Sequence, residues 1–319
     1  MNLPYILRLI CLLAVVTGAL DVVVQGALAP NARRVLRMLR AWPARQQERI
    51  LFSLQIGPPV AALLFAGAFC APQYLRHEAN HAAEGVSWSC VVAACAALVW
   101  FGASLASGLR AWVRTMRFTR ACRRSSAVVR SHAGIPLLAV NESDAVVALA
   151  GFWRPVILVS QRLLERDGLD EAALQVALDH ERAHAKHWDN WKLLALSFVP
   201  RLARGGTWLE HWQHAADWAA DDDAAQGDME RRLLLAETLV RVARCAGRRG
   251  RPVLCTALSS GEAGLQERVE RLIGDRAEVP ATRGAMIAAM VVFAAGAIAA
   301  AVSASPWVYG VCERILHLG

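Results

Sequence analysis

Tyrosine is almost missing from this chain, with three in 319 residues, at Tyr5, Tyr74 and Tyr309. None falls between residues 110 and 283, so a reaction housed there has no phenol to donate a hydrogen bond. Cysteine occurs eight times but never at a paired metal-binding spacing, which excludes a zinc ribbon and gives no disulfide framework. No internal repeat is present. Charge is sparse over four stretches, Leu3–Leu28, Ile50–Tyr74, Ser87–Leu109 and Gly284–Tyr309, each long enough to cross a bilayer, which needs about 20 mostly apolar residues. With 55% hydrophobic residues and a mean hydropathy of +0.31, an ordinary soluble protein is excluded. Asp21 interrupts the first stretch. Only Arg8 supplies a charged leader and the apolar run overshoots a signal peptide, so an uncleaved helix is expected there.

What charge there is lies beside these stretches. Arg33, Arg34, Arg37, Arg40, Arg45 and Arg49 fill the first loop, and Arg110, Arg114, Arg117, Arg120, Arg123 and Arg124 follow the third span. The loop between spans two and three has Arg76 alone. By the positive-inside rule the first loop and the segment after span three face the cytoplasm, with the N-terminus and the C-terminal tail outside. The formal net charge of +8 then reads as juxtamembrane attraction to the lipid bilayer. The arginines flank spans instead of forming one basic face on a folded module, so no direct nucleic-acid partner is expected. The thiols facing the cytoplasm are expected to be reduced.

Three parts follow: residues 1–109 with three spans and a basic loop, a cytoplasmic domain over 110–283, and a fourth span with a short outer tail over 284–319. The domain opens with a basic helix through Arg124. Ala145–Ala150 and Val156–Ser160, separated by Gly151-Phe152-Trp153-Arg154-Pro155, predict a hairpin. Helical patterns cover Asp170–His187, Trp191–Leu202, Leu209–Ala225, Glu230–Cys245 and Leu265–Ile273.

His180-Glu181-Arg182-Ala183-His184 is an H-E-x-x-H motif within a stretch, Ala172–Ala185, that holds no Gly or Pro. On a helix, positions four apart share a face, so His180 and His184 can grip one Zn²⁺ while Glu181 takes a proton from the attacking water. The pattern occurs twice. His77-Glu78-Ala79-Asn80-His81 sits in a short polar stretch between apolar segments, with Glu84 its only nearby acid, and reads as a solvated loop or a surface metal site. The second copy, with further ligand candidates downstream, is the one expected to act.

A catalytic zinc takes three protein ligands and keeps one open position. A metzincin places a third His six residues after the motif, where this chain has Asn190. The gluzincin arrangement takes a carboxylate from a later helix, and Trp212–Ala225 offers Asp217, Asp221, Asp222 and Asp223. Asp217 and Asp221 share a helix face, so one could bind metal and the other orient a ligand histidine; a solvated acidic face is the alternative. His214 and Arg268 are candidates to stabilise an oxyanion. The strand near Val146–Ala150 is a candidate edge for an extended substrate, or one strand of an ordinary buried hairpin.

The chain resembles the BlaR/MecR-type integral-membrane metallopeptidases. The resemblance runs over most of its length, from three spans through a protease domain to a fourth span. Its strongest stretch is Ala150-Gly-Phe-Trp-Arg-Pro-Val-Ile-Leu-Val-Ser160, then Leu163-Leu164, then VALDHERAHAKHWDN over Val176–Asn190. Asp217-Trp-Ala-Ala-Asp221 is similar to the family's E-x-x-x-D, and Glu267-Arg268-Val269-Glu270-Arg271-Leu272 to its late ER-x-x-RL. The resemblance implies a mainly α protein, four transmembrane helices with a cytoplasmic gluzincin-like α+β zinc protease domain inserted between helices three and four. It implies one Zn²⁺ on His180, His184 and Asp217, with Glu181 as general base and Asp221 and Asp189 orienting the histidines. It further implies a cytoplasmic protein substrate, such as a transcriptional repressor cleaved in response to an envelope signal. Asp217 departs from the usual Glu and is one methylene shorter. Arg182 and His187 are also unusual, and His187 reads as an outer or alternative ligand or as an ordinary core or surface histidine. Ten residues follow Tyr309, too few for the family's extracellular β-lactam sensor. Two other readings stand beside this one: an HtpX-like quality-control membrane protease, and a transducer that keeps the fold without turnover.

Overall fold

The computed structural model describes residues 3–77, 87–141, 147–165, 168–201, 207–245, 255–257 and 262–274. The expected fourth span and all of the first H-E-x-x-H copy after His77 lie outside them. The protein is mainly helical, with a small mixed sheet.

Among the described residues, three helices are long and apolar enough to cross a membrane: Ile6–Leu28, Ala44–Cys70 and Trp88–Ser125. The first lies within α1 (Leu3–Leu39), which continues past Pro30 and carries Arg33, Arg34 and Arg37 on helix where a loop was expected. Asp21, which interrupts this span, is fully buried and accepts hydrogen bonds from Gln25 Nε2 at 2.9 Å and from Trp100 Nε1, on the third spanning helix, at 3.4 Å. An ionisable residue in a span normally faces partners in this way. The second span is α2 (Ala44–Phe65) continued by a π-helical turn, Ala66–Cys70, and then by α3 (Ala71–His77). The third span and the basic helix after it are one 38-residue helix, α4 (Trp88–Ser125).

The sheet holds β1 (Val128–His132), β2 (Ile135–Val140), β3 (Val147–Ala150), β4 (Val156–Ser160) and β5 (Cys255–Ala257) in the order β1-β2-β4-β3-β5. The expected hairpin is there as the antiparallel β3–β4 pair, with Val147 opposite Val159 and Ala150 opposite Val156. β2 runs parallel to β4, and that register starts at Leu137, so Pro136, which has no N–H, stays clear of the pairing. β3 is not an edge. β5 pairs with it from Ala148 to Ala150, so the expected docking of a substrate strand on β3 gives way to an internal strand.

Around the sheet lie α5 (Gln161–Leu164), α6 (Glu171–Lys186), α7 (Asp189–Ser197), α8 (Thr207–Ala225), α9 (Met229–Cys245) and α10 (Glu262–Ile273). Asp170 caps α6, accepting from the Ala173 N–H at 2.8 Å. Leu174, Ala177 and Leu178 of α6 join Leu149 and Ile157 of the sheet and Leu235 and Leu239 of α9 in the main core. A second core joins Leu51 of α2 and Ala111 of α4 to Leu193, Leu196, Trp212 and Ala216. It packs α7 and α8 against the spanning helices.

Candidate metal centre

His180, Glu181 and His184 stand on the buried side of α6, all at 0% exposure. Their i, i+4 spacing brings the two histidine Nε2 atoms to 3.1 Å, with the rings 4.7 Å apart and nearly perpendicular. α8 crosses α6 and supplies Asp217, whose Oδ1 lies 3.6 Å from His184 Nε2. One ligand atom from each of His180, His184 and Asp217 falls within 4.8 Å of the others. Two nitrogens about 2.05 Å from a tetrahedral zinc stand about 3.3 Å apart, and a carboxylate oxygen at about 2.1 Å stands about 3.4 Å from either. The donor types suit zinc, and the two separations from His184 Nε2, 3.1 and 3.6 Å, lie close to those one ion requires.

Each imidazole has a carboxylate behind it. His180 Nδ1 lies 2.9 Å from Asp221 Oδ1, and His184 Nδ1 lies 2.8 Å from Asp189 Oδ2. In a neutral imidazole a carboxylate there favours the tautomer with the proton on Nδ1, which leaves the Nε2 lone pair for a metal. The His184–Asp189 contact has hydrogen-bond geometry and the His180–Asp221 contact is a close charge pairing. Asp189 reaches back because the chain breaks sharply between α6 and α7. His187 ends α6 and Trp188 adopts a left-handed backbone, φ 60°, before Asp189 opens α7. That conformation is strained for a bulky residue.

Electrostatics separate the two histidines. Burial lowers His180 to about 4 despite its contact with Asp221. Burial alone would also lower His184, but the hydrogen bond and charge of Asp189, with Glu181 and Asp217 nearby, raise it to about 9. Burial pushes Glu181 up to about 8, against the pull of His184 and of the Leu149 N–H. Burial would raise Asp221 too, yet the Arg268 guanidinium and His180 hold it well below the usual carboxylate range.

The candidate residues fall into different places. Arg268, read as an oxyanion stabiliser, is fully buried and grips Asp221 with two donors, Nε to Oδ2 at 2.9 Å and Nη2 to Oδ1 at 2.6 Å. Its Nη2 also lies 3.4 Å from His180 Nε2, and its Nη1 lies 3.9 Å from Asp217 Oδ2. His214 sits one turn before Asp217 on α8, its ring 6.4 Å from Trp218, and its Nδ1 is buried without a hydrogen-bond partner among the described residues. His187 is buried and its Nε2 lies 3.0 Å from Asp223 Oδ2, which ties α6 to α8 away from the ligand group. Asp222 is exposed and paired with Arg271.

Three contributions escaped the sequence reading. The Leu149 N–H of β3 donates to Glu181 Oε2 at 2.6 Å. Asn190 Nδ2 donates to the carbonyls of Leu149 and Gly151 at 3.2 and 2.7 Å, clamping β3 to α7. Lys192 Nζ donates to Asp189 Oδ1 at 3.0 Å. Only Asn190 left a sequence signal, as part of the Asp189-Asn190 tail of the motif.

A cleft of about 180 Å³ reaches His184 between Leu149, Gly151, Phe152, Trp153, Trp188 and Trp191. A larger cavity, about 640 Å³, lies among α4, α7 and α8 around Trp100, Arg110 and Arg201 and touches none of the ligand residues. Of the three candidate ligands the smaller one touches His184. Compared with protein-family models and with curated proteins, the chain matches no family model and no curated protein.

Proposed function

We propose that this membrane protein is an integral-membrane zinc metalloendopeptidase that cleaves a cytoplasmic protein, as the BlaR/MecR resemblance implies. The observation that carries the proposal is the buried His180–His184–Asp217 group, with Asp221 and Asp189 behind the two histidines and Glu181 beside them. A Zn²⁺ held there would polarise the scissile carbonyl and lower the pKa of the attacking water.

The chain's own residues do the rest. Glu181 Oε2 is fixed by the Leu149 N–H, while Oε1 is buried with no partner among the described residues. That oxygen takes the water's proton and returns it to the leaving amine. Asp221 and Asp189 hold the histidine tautomers, and Arg268 keeps Asp221 ionised so that it can do so. The aromatic walls of the cleft offer apolar surface to a substrate side chain beside His184. The arginines after the first and third spans support a cytoplasmic domain by the positive-inside rule, and a transcriptional repressor is the substrate the resemblance favours. An HtpX-like layout fits less well, because three candidate spans precede the motif and α7, at nine residues, is too short to cross.

The test is hydrolysis of an unfolded protein by the detergent-solubilised chain. Cleavage that 1,10-phenanthroline abolishes and added zinc restores supports the reading. Zinc-loaded protein that cleaves nothing leaves the transducer reading in its place.

A further inference from the structure

A charged residue far outside the motif is built into the same scaffold. Glu48 lies near the start of α2, the helix that becomes the second span, and is 0% exposed. A carboxylate this deep is costly unless it is paired and hydrogen-bonded. Its Oε1 accepts from Lys192 Nζ at 2.8 Å and from Trp212 Nε1 at 3.1 Å. Arg45 Nη1 lies 3.7 Å from Oε2. Lys192 belongs to α7 and Trp212, itself 1% exposed, to α8. One carboxylate from a spanning helix thus fastens both helices that bring carboxylates to the metal group.

The contacts continue without a gap. Lys192 Nζ, held by Glu48, also donates to Asp189 Oδ1 at 3.0 Å. Asp189 Oδ2 meets His184 Nδ1 at 2.8 Å. Asp189 is fully buried, so its orientation is set by these two partners and the backbone of α7. Removing the Glu48 charge frees Lys192 to swing toward solvent, where its side chain is already 18% exposed, and Asp189 loses one of its anchors. A partner that touches a ligand, as Asp189 touches His184, shifts metal affinity by roughly 10–100-fold when altered, and Lys192 and Glu48 act through it.

We infer that Glu48 is a positioning residue that couples the second membrane-spanning helix to the metal ligand His184, through Lys192 and Asp189. The inference rests on the peptidase reading for the identity of the ligand. It adds a route by which displacement of α2 reaches the site: a shift of its cytoplasmic end moves Glu48, and Lys192 and Asp189 follow. The element that two states would share is the α2–α7–α8 junction, where Leu51, Leu193 and Trp212 pack together.

The experiment uses the full chain in detergent. Zinc affinity is measured by competition with a chromophoric chelator, and site geometry by the visible spectrum of the Co²⁺-substituted protein. Glu48→Gln keeps an acceptor for Trp212 but removes the charge facing Lys192, and is expected to weaken zinc binding by up to roughly tenfold, less than a change at Asp189 itself, and to alter the Co²⁺ bands. Gln55→Leu cuts a separate α2–α8 tie, from Gln55 Nε2 to the Trp208 carbonyl at 3.3 Å, and is expected to leave both readouts unchanged. Lys192→Met approaches the same chain of contacts from its other end and should reproduce the loss, with Lys192→Arg recovering most of it; this pair decides the matter if Glu48→Gln does not fold. Wild-type zinc affinity and spectrum in Glu48→Gln or Lys192→Met overturn the inference, as does an equal loss in Gln55→Leu. Wild-type protein that binds no zinc contradicts the peptidase reading itself, a result distinguishable from either.

Discussion

The Leu149 backbone N–H donates to Glu181 Oε2 at 2.6 Å, so one oxygen of the motif's glutamate is fixed by the sheet while the other stays without a partner among the described residues. A Glu181→Gln side chain can still accept that bond through its amide oxygen but cannot take a proton. Proteolysis should fall by roughly 10²–10⁴-fold, the usual worth of a general base, with zinc content and thermal midpoint near wild type. Retained proteolysis in Glu181→Gln would remove the glutamate from the mechanism. A downstream output that persists without cleavage would favour the transducer.

Asp217 approaches the histidines from α8 with Oδ1 3.6 Å from His184 Nε2. Asp217→Ala should reduce zinc affinity by more than the roughly 10–100-fold expected for changing a residue behind a ligand. Asp221→Asn should fall within that smaller range. Competition titrations that rank the two the other way would make Asp221 the ligand.

Arg268 and Asp221 form a fully buried, two-donor ion pair. Removing one member of such a pair strands the other charge, at a cost of about 3–5 kcal/mol. Arg268→Leu should therefore lower the thermal midpoint of the metal-free protein markedly. An unchanged midpoint would mean that water reaches Asp221.

His187 supplies a pH dependence that stands apart from the ligands. Burial first, and then the charge of Arg45, lower it to about 4 from its ordinary 6.5. A folded value below the unfolded one means that the unfolded chain binds the proton more tightly between them. Its contribution is present in full above pH 6.5 and is lost as the pH falls toward 4. The thermal midpoint should drop over that window, and His187→Phe should flatten the drop. An equal slope in both proteins would assign the acid sensitivity elsewhere.

Much of the site can be read from sequence because its geometry is local. His180 and His184 share a face, with Glu181 beside them, because α6 contains no Gly or Pro and Asp170 caps it. Asp217 and Asp221 share a face of α8 for the same helical reason. What could not be read is pairing across distance. The Leu149 N–H carries no side-chain signature, and nothing local links Glu48 to Lys192, 144 residues away. β1 and β2 lack clean alternation, and β5, with three residues, is too short for a strand pattern, so β3 read as either a free edge or one strand of a buried hairpin, and it is covered. Asp21, which looked like a break in the first span, is accommodated by Gln25 and Trp100, a long-range partner on α4.

The most direct test of the central claim is the zinc content of detergent-purified full-length protein, in wild type and in His180→Ala, Asp217→Ala and His77→Ala. About one zinc per chain, lost in His180→Ala and Asp217→Ala and kept in His77→Ala, is the predicted result for a single catalytic site. Zinc that survives His180→Ala, or wild-type protein without zinc after growth and purification in its presence, would contradict it.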